Sequence, residues 1–156
     1  MHQTAHSQQG FTLLEILVVI AIIGILAGLF GWSLIRSIRS AELREAATQV
    51  ATDFRRARSQ AQRGSTDISL IFPGSTASSA YTANGVPKTL PSNVTMVCKT
   101  NCGSGATTTI TYQAPYGELG ATGSVFTIKS PMNSVNDLEV RIVGVTGKII
   151  LTKAGS

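Results

Sequence analysis

Two thiols, two imidazoles and a handful of carboxylates set the chemistry open to this 156-residue chain. Cys98 and Cys102 enclose Lys99-Thr100-Asn101, and both histidines, His2 and His6, lie in the first ten residues. Zinc takes about four ligands, so the cysteine pair cannot complete a site from its own chain once those ten residues are removed. The same removal excludes a Ser-His-Asp or Cys-His nucleophile and a histidine proton shuttle. The spacing C-x-x-x-C also differs from the C-x-x-C of a dithiol oxidoreductase. What remains for the pair is a disulfide in an oxidising compartment, or two free thiols in a reducing one. Glu118, Asp137 and Glu139 have no spacing that suggests paired acid and base. No metal, no cofactor and no enzymatic activity is expected.

The carboxylate with the most unusual surroundings is Glu15. From Phe11 to Ile35 it is the one charge in 25 residues, and the 20 residues from Ile16 to Ile35 have none. A helix of that length covers ~30 Å, the thickness of a bilayer's hydrocarbon. A secretory signal peptide has an apolar stretch of only ~7–15 residues and different flanks. A plain membrane anchor fits the length, but it leaves a carboxylate unpaired near its edge, which is costly. A cut between Gly10 and Phe11 would create an α-amine four residues before Glu15. That amine could pair with the carboxylate within one helix or from a neighbouring subunit.

The string Gly10-Phe11-Thr12-Leu13-Leu14-Glu15, continued by the apolar run through Ala27, resembles the class III signal of type IV pilins and type II secretion pseudopilins. The resemblance implies a leader, residues 1–10, removed by a membrane prepilin peptidase at the Gly10-Phe11 bond. It also implies methylation of the new Phe11 amine, and a Glu15 that guides the stacking of subunits. The leader MHQTAHSQQG has no Lys or Arg, whereas Arg36, Arg39 and Arg44 follow the run. Charge counting by itself therefore places the C-terminal part in the cytoplasm, while the resemblance implies the opposite orientation. Trp32 stands where many pilins have a kinking proline, and Gly24, Gly28 and Gly31 supply small surfaces for close helix approach.

These groups must be positioned by two kinds of element. Leu43, Ala47, Val50, Phe54, Ala57 and Ala61 recur at intervals of 4, 3, 4, 3 and 4, the stripe of an amphipathic helix. No Pro lies between Phe11 and Phe72, and Gly64 follows the stripe as a stop. One helix of about 50 residues, ~75 Å long, is expected: residues 11–35 apolar all round, residues 36–63 amphipathic. Residues 64–156 then read as a β-rich head. Its expected strands are Ile68 to Phe72, Val94 to Cys98, Thr107 to Ala114, Ser124 to Ile128, Leu138 to Val143 and Lys148 to Thr152. Pro73-Gly74, Asn84-Gly85, Gly103-Ser104-Gly105, Gly117, Gly120, Gly123 and Gly144 to Gly147 mark turns. Ser75 to Ala83 is polar and reads as a mobile loop. The expected fold is α+β, a long N-terminal helix packed on an antiparallel sheet with a pilin-like lollipop shape.

Glu42 to Gln62, with Ala57-Arg58-Ser59-Gln60-Ala61 inside it, the segment Thr109 to Tyr112 and the C-terminal Val140 to Leu151 resemble the GspH/FimT group of minor pseudopilins. That resemblance implies a structural subunit of a type IV pilus or type II secretion pseudopilus. Its expected partners are prepilin peptidase, other pilin or pseudopilin subunits, the inner-membrane assembly machinery and, before assembly, membrane lipid. Its head would be extracytoplasmic, which favours a Cys98–Cys102 disulfide. Residues 36 to 63 hold seven Arg against Glu42, Glu45 and Asp53; they read as a solvated face with internal pairs, or as contacts to lipid phosphate and acidic neighbours. Some relatives in the group bind DNA through a basic C-terminal turn. The matching segment here is Gly147-Lys148-Ile149-Ile150, with one basic residue, and Lys153 and Arg141 belong to the same C-terminal hairpin; a competence-type subunit that binds extracellular DNA through Lys148, Lys153 and Arg141 is the alternative.

Overall fold

The computed structural model describes residues 11–103, 105–120 and 122–155; the leader, Gly10 and Ser104 of one turn signal lie outside them. Two compact units divide the chain, Met1–Arg36 and Ser37–Ser156. The helix α1 runs from Leu13 to Gly64, the span expected from the absence of proline and the stop at Gly64.

In the first unit the helix begins at a cap. Thr12 Oγ1 accepts the Glu15 backbone N–H at 3.2 Å, and the Thr12 carbonyl accepts the N–H groups of Glu15 and Ile16. Thr12 thereby satisfies N–H groups that no earlier turn can reach. Glu15 falls in the first turn, where a negative charge meets the positive end of the helix dipole. From there the segment has an 18-residue apolar window with none of it buried within the chain. It is long and apolar enough to cross a membrane.

In the second unit the rest of α1 buries one stripe. Leu43, Ala47, Val50, Phe54, Ala57 and Ala61 are all buried, joined by Ala46, Ala51 and Asp53. The strands are β1 (Ile68–Pro73), β2 (Ala80–Ala83), β3 (Val86–Thr89), β4 (Thr95–Thr100), β5 (Thr107–Gln113), β6 (Glu118–Leu119), β7 (Val125–Lys129), β8 (Leu138–Val143) and β9 (Lys148–Lys153). The six expected strands are present within two residues at each end. The single sheet is corrected: there are two antiparallel sheets, ordered β3-β2-β1-β5-β6 and β4-β7-β8-β9.

The reading of Ser75 to Ala83 as a mobile loop is also corrected. Ala80–Ala83 is strand β2, paired to β1 through Leu70↔Ala83 and to β3 through Tyr81↔Lys88. The β2–β3 hairpin turns on Asn84 and Gly85, both at positive φ (49° and 76°), as a two-residue turn that matches strand twist requires. Tyr81 pulls the hairpin inward, because its ring stacks on Phe72 at 5.3 Å.

One aromatic cluster joins the layers. Phe54 of α1 lies 4.7 Å from Phe72 of the first sheet and 6.1 Å from Phe126 of the second, and those two rings are 5.0 Å apart. Phe54, Phe72 and Phe126 are at most 1% exposed. Each such ring stabilises the fold by about 2–3 kcal/mol relative to leaving it in water.

Candidate functional site

The N-terminal site is built by exposure. Phe11 is 80% exposed and Glu15 stands in the open first turn of α1. Leu13, Leu14, Ile16, Leu17, Ile20 and many of their successors are half exposed or more. Side chains of this kind in water oppose solubility, so the segment needs lipid or other apolar helices around it. Glu15 is the one charged group within it. Gly24, Gly28 and Gly31 have nothing within 4 Å of an added Cβ. Their small surfaces face outward and can be matched only by another molecule.

In the head, Cys98 and Cys102 are joined by a disulfide with Cα atoms 5.8 Å apart. It closes the end of β4, where pairing to β7 shifts between Cys98 and Thr100. Asn101 at the tip has φ 53° and donates from Nδ2 to the Gly123 carbonyl at 2.6 Å, while Ser124 Oγ donates to the Asn101 carbonyl. The bond therefore pins a turn against the β7 side.

The basic residues separate in a way their sequence positions do not show. Arg141 is not grouped with Lys148. Its guanidinium donates to Glu139 Oε2 at 2.7 and 3.0 Å, and Lys99 Nζ donates to Glu139 Oε1 at 2.8 Å. Glu139 is fully buried; hydrogen bonds from Lys99 and then Arg141 hold its carboxyl below the usual carboxylate range, against the opposing effect of burial. Lys153 lies at the far end of β9, opposite Leu138.

Lys148 instead meets the helix. It lines an open cleft of about 440 Å³ with Arg55, Arg58, Ser59, Gln62 and Ile149. A second cleft, about 820 Å³, shares Arg55 and Ser59 and adds Arg56 and Arg63. No carboxylate lines either cleft. Arg63 donates to Ser59 Oγ at 2.7 Å, and the Nε of Arg58 is buried without a partner among the described residues. Gly147 makes the approach possible. Its φ is 62°, and an added Cβ would stand 2.6 Å from the ring of Tyr112. The Tyr112 hydroxyl donates to the Gly147 carbonyl, and burial pushes its pKa up to about 12, with Arg58 opposing.

A third polar group was not singled out in the sequence. Asp53, counted there among the charges of a solvated helix face, is 5% exposed. It accepts from the Tyr81 hydroxyl at 2.6 Å and from Lys88 Nζ at 2.5 Å, while Gln49 Nε2 donates to the Tyr81 oxygen and the Thr89 carbonyl. Burial, then the bond to Asp53, raises the Tyr81 pKa. The signal was available: Asp53 lies three residues after Val50 and four before Ala57, on the buried stripe itself. Other pairs are ordinary, such as Arg39 to Glu42 at 2.9 Å. Among the described residues, no three His, Cys, Asp or Glu side chains gather as a metal site would require.

No curated protein and no solved structure matches the chain. Residues 5–31 match the family model described as the prokaryotic N-terminal methylation motif. The matched residues lead into the part of α1 whose apolar window is uncovered within the chain, and the motif supports a type IV pilin/pseudopilin family.

Proposed function

We propose that the protein is a minor pilin or pseudopilin, a structural subunit and not an enzyme. It is made as a prepilin, cut between Gly10 and Phe11 by prepilin peptidase, and methylated on the Phe11 amine. Residues 11–35 hold it in the inner membrane with the head extracytoplasmic until the assembly machinery extracts it into a type IV pilus or type II secretion pseudopilus. The supporting observation is the Gly10-to-Ala27 string, which falls inside the matched residues 5–31 and leads into the apolar window of α1 that nothing in the chain covers. Extraction exchanges lipid for neighbouring helices around the same side chains, so assembly exposes no new apolar surface to water. Glu15 takes the Phe11 amine of an adjacent subunit as its counter-charge. The head's likeness to the GspH/FimT group supports a minor subunit. Mass spectrometry of the assembled protein should show a chain that begins at N-methyl-Phe11; an intact Met1 terminus rules this reading out.

A second reading, capture of extracellular DNA by a competence-type subunit, is favoured by one observation. Lys148 does not stand alone but shares a cleft with Arg55 and Arg58. Few aromatic rings lie there, so affinity would rest on phosphate charge and fall steeply with salt. Under this reading the full chain in detergent retards duplex DNA at low salt, and Arg55→Ala with Lys148→Ala weakens that retardation at least tenfold. No retardation at any salt removes it.

A further inference from the structure

The larger of the two cationic clefts takes part of its wall from a turn. Together with Arg55, Arg56 and Arg63 of α1 it is lined by Asn84, which with Gly85 makes the β2–β3 turn. The chain has five asparagines, and Asn84 is the one followed by glycine. After Asn93, Asn101, Asn133 and Asn136 come Val94, Cys102, Ser134 and Asp137, each with a Cβ that crowds the backbone nitrogen.

An Asn-Gly pair can react with itself, because the glycine nitrogen can attack the asparagine side-chain carbonyl and close a five-membered imide. Several features leave this pair open to that reaction. Asn84 and Gly85 are both exposed. Gly85 has φ 76° and nothing within 4 Å of an added Cβ, so its nitrogen can be approached and its backbone can turn. Among the described residues, neither the Asn84 carboxamide nor the Gly85 N–H makes a hydrogen bond; the group engaged is the Asn84 backbone N–H, which donates to the Ser69 carbonyl at 3.0 Å. Asn101 is the contrast, its carboxamide held by donation from Nδ2 to the Gly123 carbonyl at 2.6 Å. Ring closure develops negative charge, first on the nitrogen and then on the tetrahedral oxygen, and the arginines of the cleft favour that charge.

We propose that Asn84 is a self-modification site, and that the carboxylate it forms becomes the counter-charge this cleft otherwise lacks. The Gly85 nitrogen bonds to Asn84 Cγ, the Cγ–Nδ2 bond breaks, and Nδ2 leaves as ammonia with the proton given up by the Gly85 N–H. Water then opens either C–N bond of the imide and leaves aspartate or isoaspartate at position 84. Aspartate puts its charge where the carboxamide lines the cleft with Arg56 and Arg63. Isoaspartate also adds a carbon to the backbone of a two-residue turn, which loosens the match between turn and strand twist. The positive charge of the cleft falls by one, and with it the hold on any anion that uses Arg55, which both clefts share. The inference rests on neither functional reading above.

The test keeps the purified full chain, in detergent, in mildly alkaline buffer made with heavy-oxygen water, followed by digestion and mass spectrometry. Residue 84 should convert at least tenfold faster than each of the other four asparagines, to a mixture of aspartate and isoaspartate carrying one heavy oxygen. Asparagine retained at 84, conversion no faster than elsewhere, or aspartate without isoaspartate, which marks direct hydrolysis, overturns the proposal. The counter-charge is read by NMR titration of Asn84→Asp. Its carboxyl should titrate about one pH unit or more below the same carboxyl in a chain that also has Arg56→Gln and Arg63→Gln. Equal titration in the two chains overturns the placing of the charge in the cleft.

Discussion

Residues 13–35 and residues 37–64 belong to one helix, yet they use apolar side chains in opposite ways. In the first stretch the apolar groups surround the axis and none is covered; Phe30 and Trp32 are each 70% exposed. In the second they form one stripe, and Phe54 at its centre is 0% exposed. Helix propensity does not separate the two, since both lack Pro, the first being rich in Leu and Ile and the second in Ala and Arg. The width of the apolar surface does. A stripe is satisfied by two sheets of the same chain, whereas an apolar cylinder can be satisfied only by lipid or by other chains. Stability therefore resides in residues 37–155, and the residues the fold leaves bare are left for lipid or other chains to cover.

The largest effect that tests this contrast comes from paired truncations. Phe54→Ala should destabilise the head by about 3–5 kcal/mol, because Phe72 and Phe126 lose a shared neighbour. Phe30→Ala should leave head unfolding unchanged, as read by denaturant titration of the near-ultraviolet tyrosine signal. Equal losses for the two would erase the distinction.

Asp53→Ala should cost about 2–3 kcal/mol by the same titration, since it strands the Tyr81 hydroxyl and Lys88. Hydrogen exchange should show amides of the β2–β3 hairpin losing protection before those of β5. Reduction of Cys98–Cys102 should cost about 2 kcal/mol by loop entropy and loosen mainly residues 99–103, as exchange of the same amides would report.

Glu139 sets a dependence on pH with a definite sign. Its carboxyl lies below the usual range when folded, so its contribution is complete above the unfolded value of about 4.3 and is lost as pH falls through the folded value. Glu139→Gln should lower neutral-pH stability by about 1–2 kcal/mol and flatten the acid limb of the stability curve. An unchanged acid limb would mean that another carboxylate carries it. The smallest effect on folding is expected from Glu15→Val. Head stability and membrane insertion should stay as they are, while filament assembly, counted by electron microscopy, falls at least tenfold.

Much of this was legible in residue order, for reasons that differ by region. The helix and its stripe follow from spacing over six positions, and the strands with β-branched runs, such as Leu138–Val143, appear where they were expected. β2 was hidden because four residues, Ala80–Ala83, give too short an alternation to outweigh the polar composition before them. The Asn84-Gly85 turn beside it was the stronger signal, since a two-residue turn at positive φ serves a hairpin on both sides. The division into two sheets left no local trace, because each strand alternates in the same manner whichever sheet it joins.

The basic residues make the same point. Lys148, Lys153 and Arg141 are close in sequence and of one charge, but Arg141 is drawn to a buried carboxylate, while Lys148 faces two arginines that precede it by about ninety residues. Residue order alone carries the expected leader and cut site and the long apolar segment, because each of these depends on neighbours within one or two helical turns. Tertiary structure decided which cations share a cleft and which carboxylates are buried, because those properties depend on contacts between segments whose separation in sequence exerts no local force.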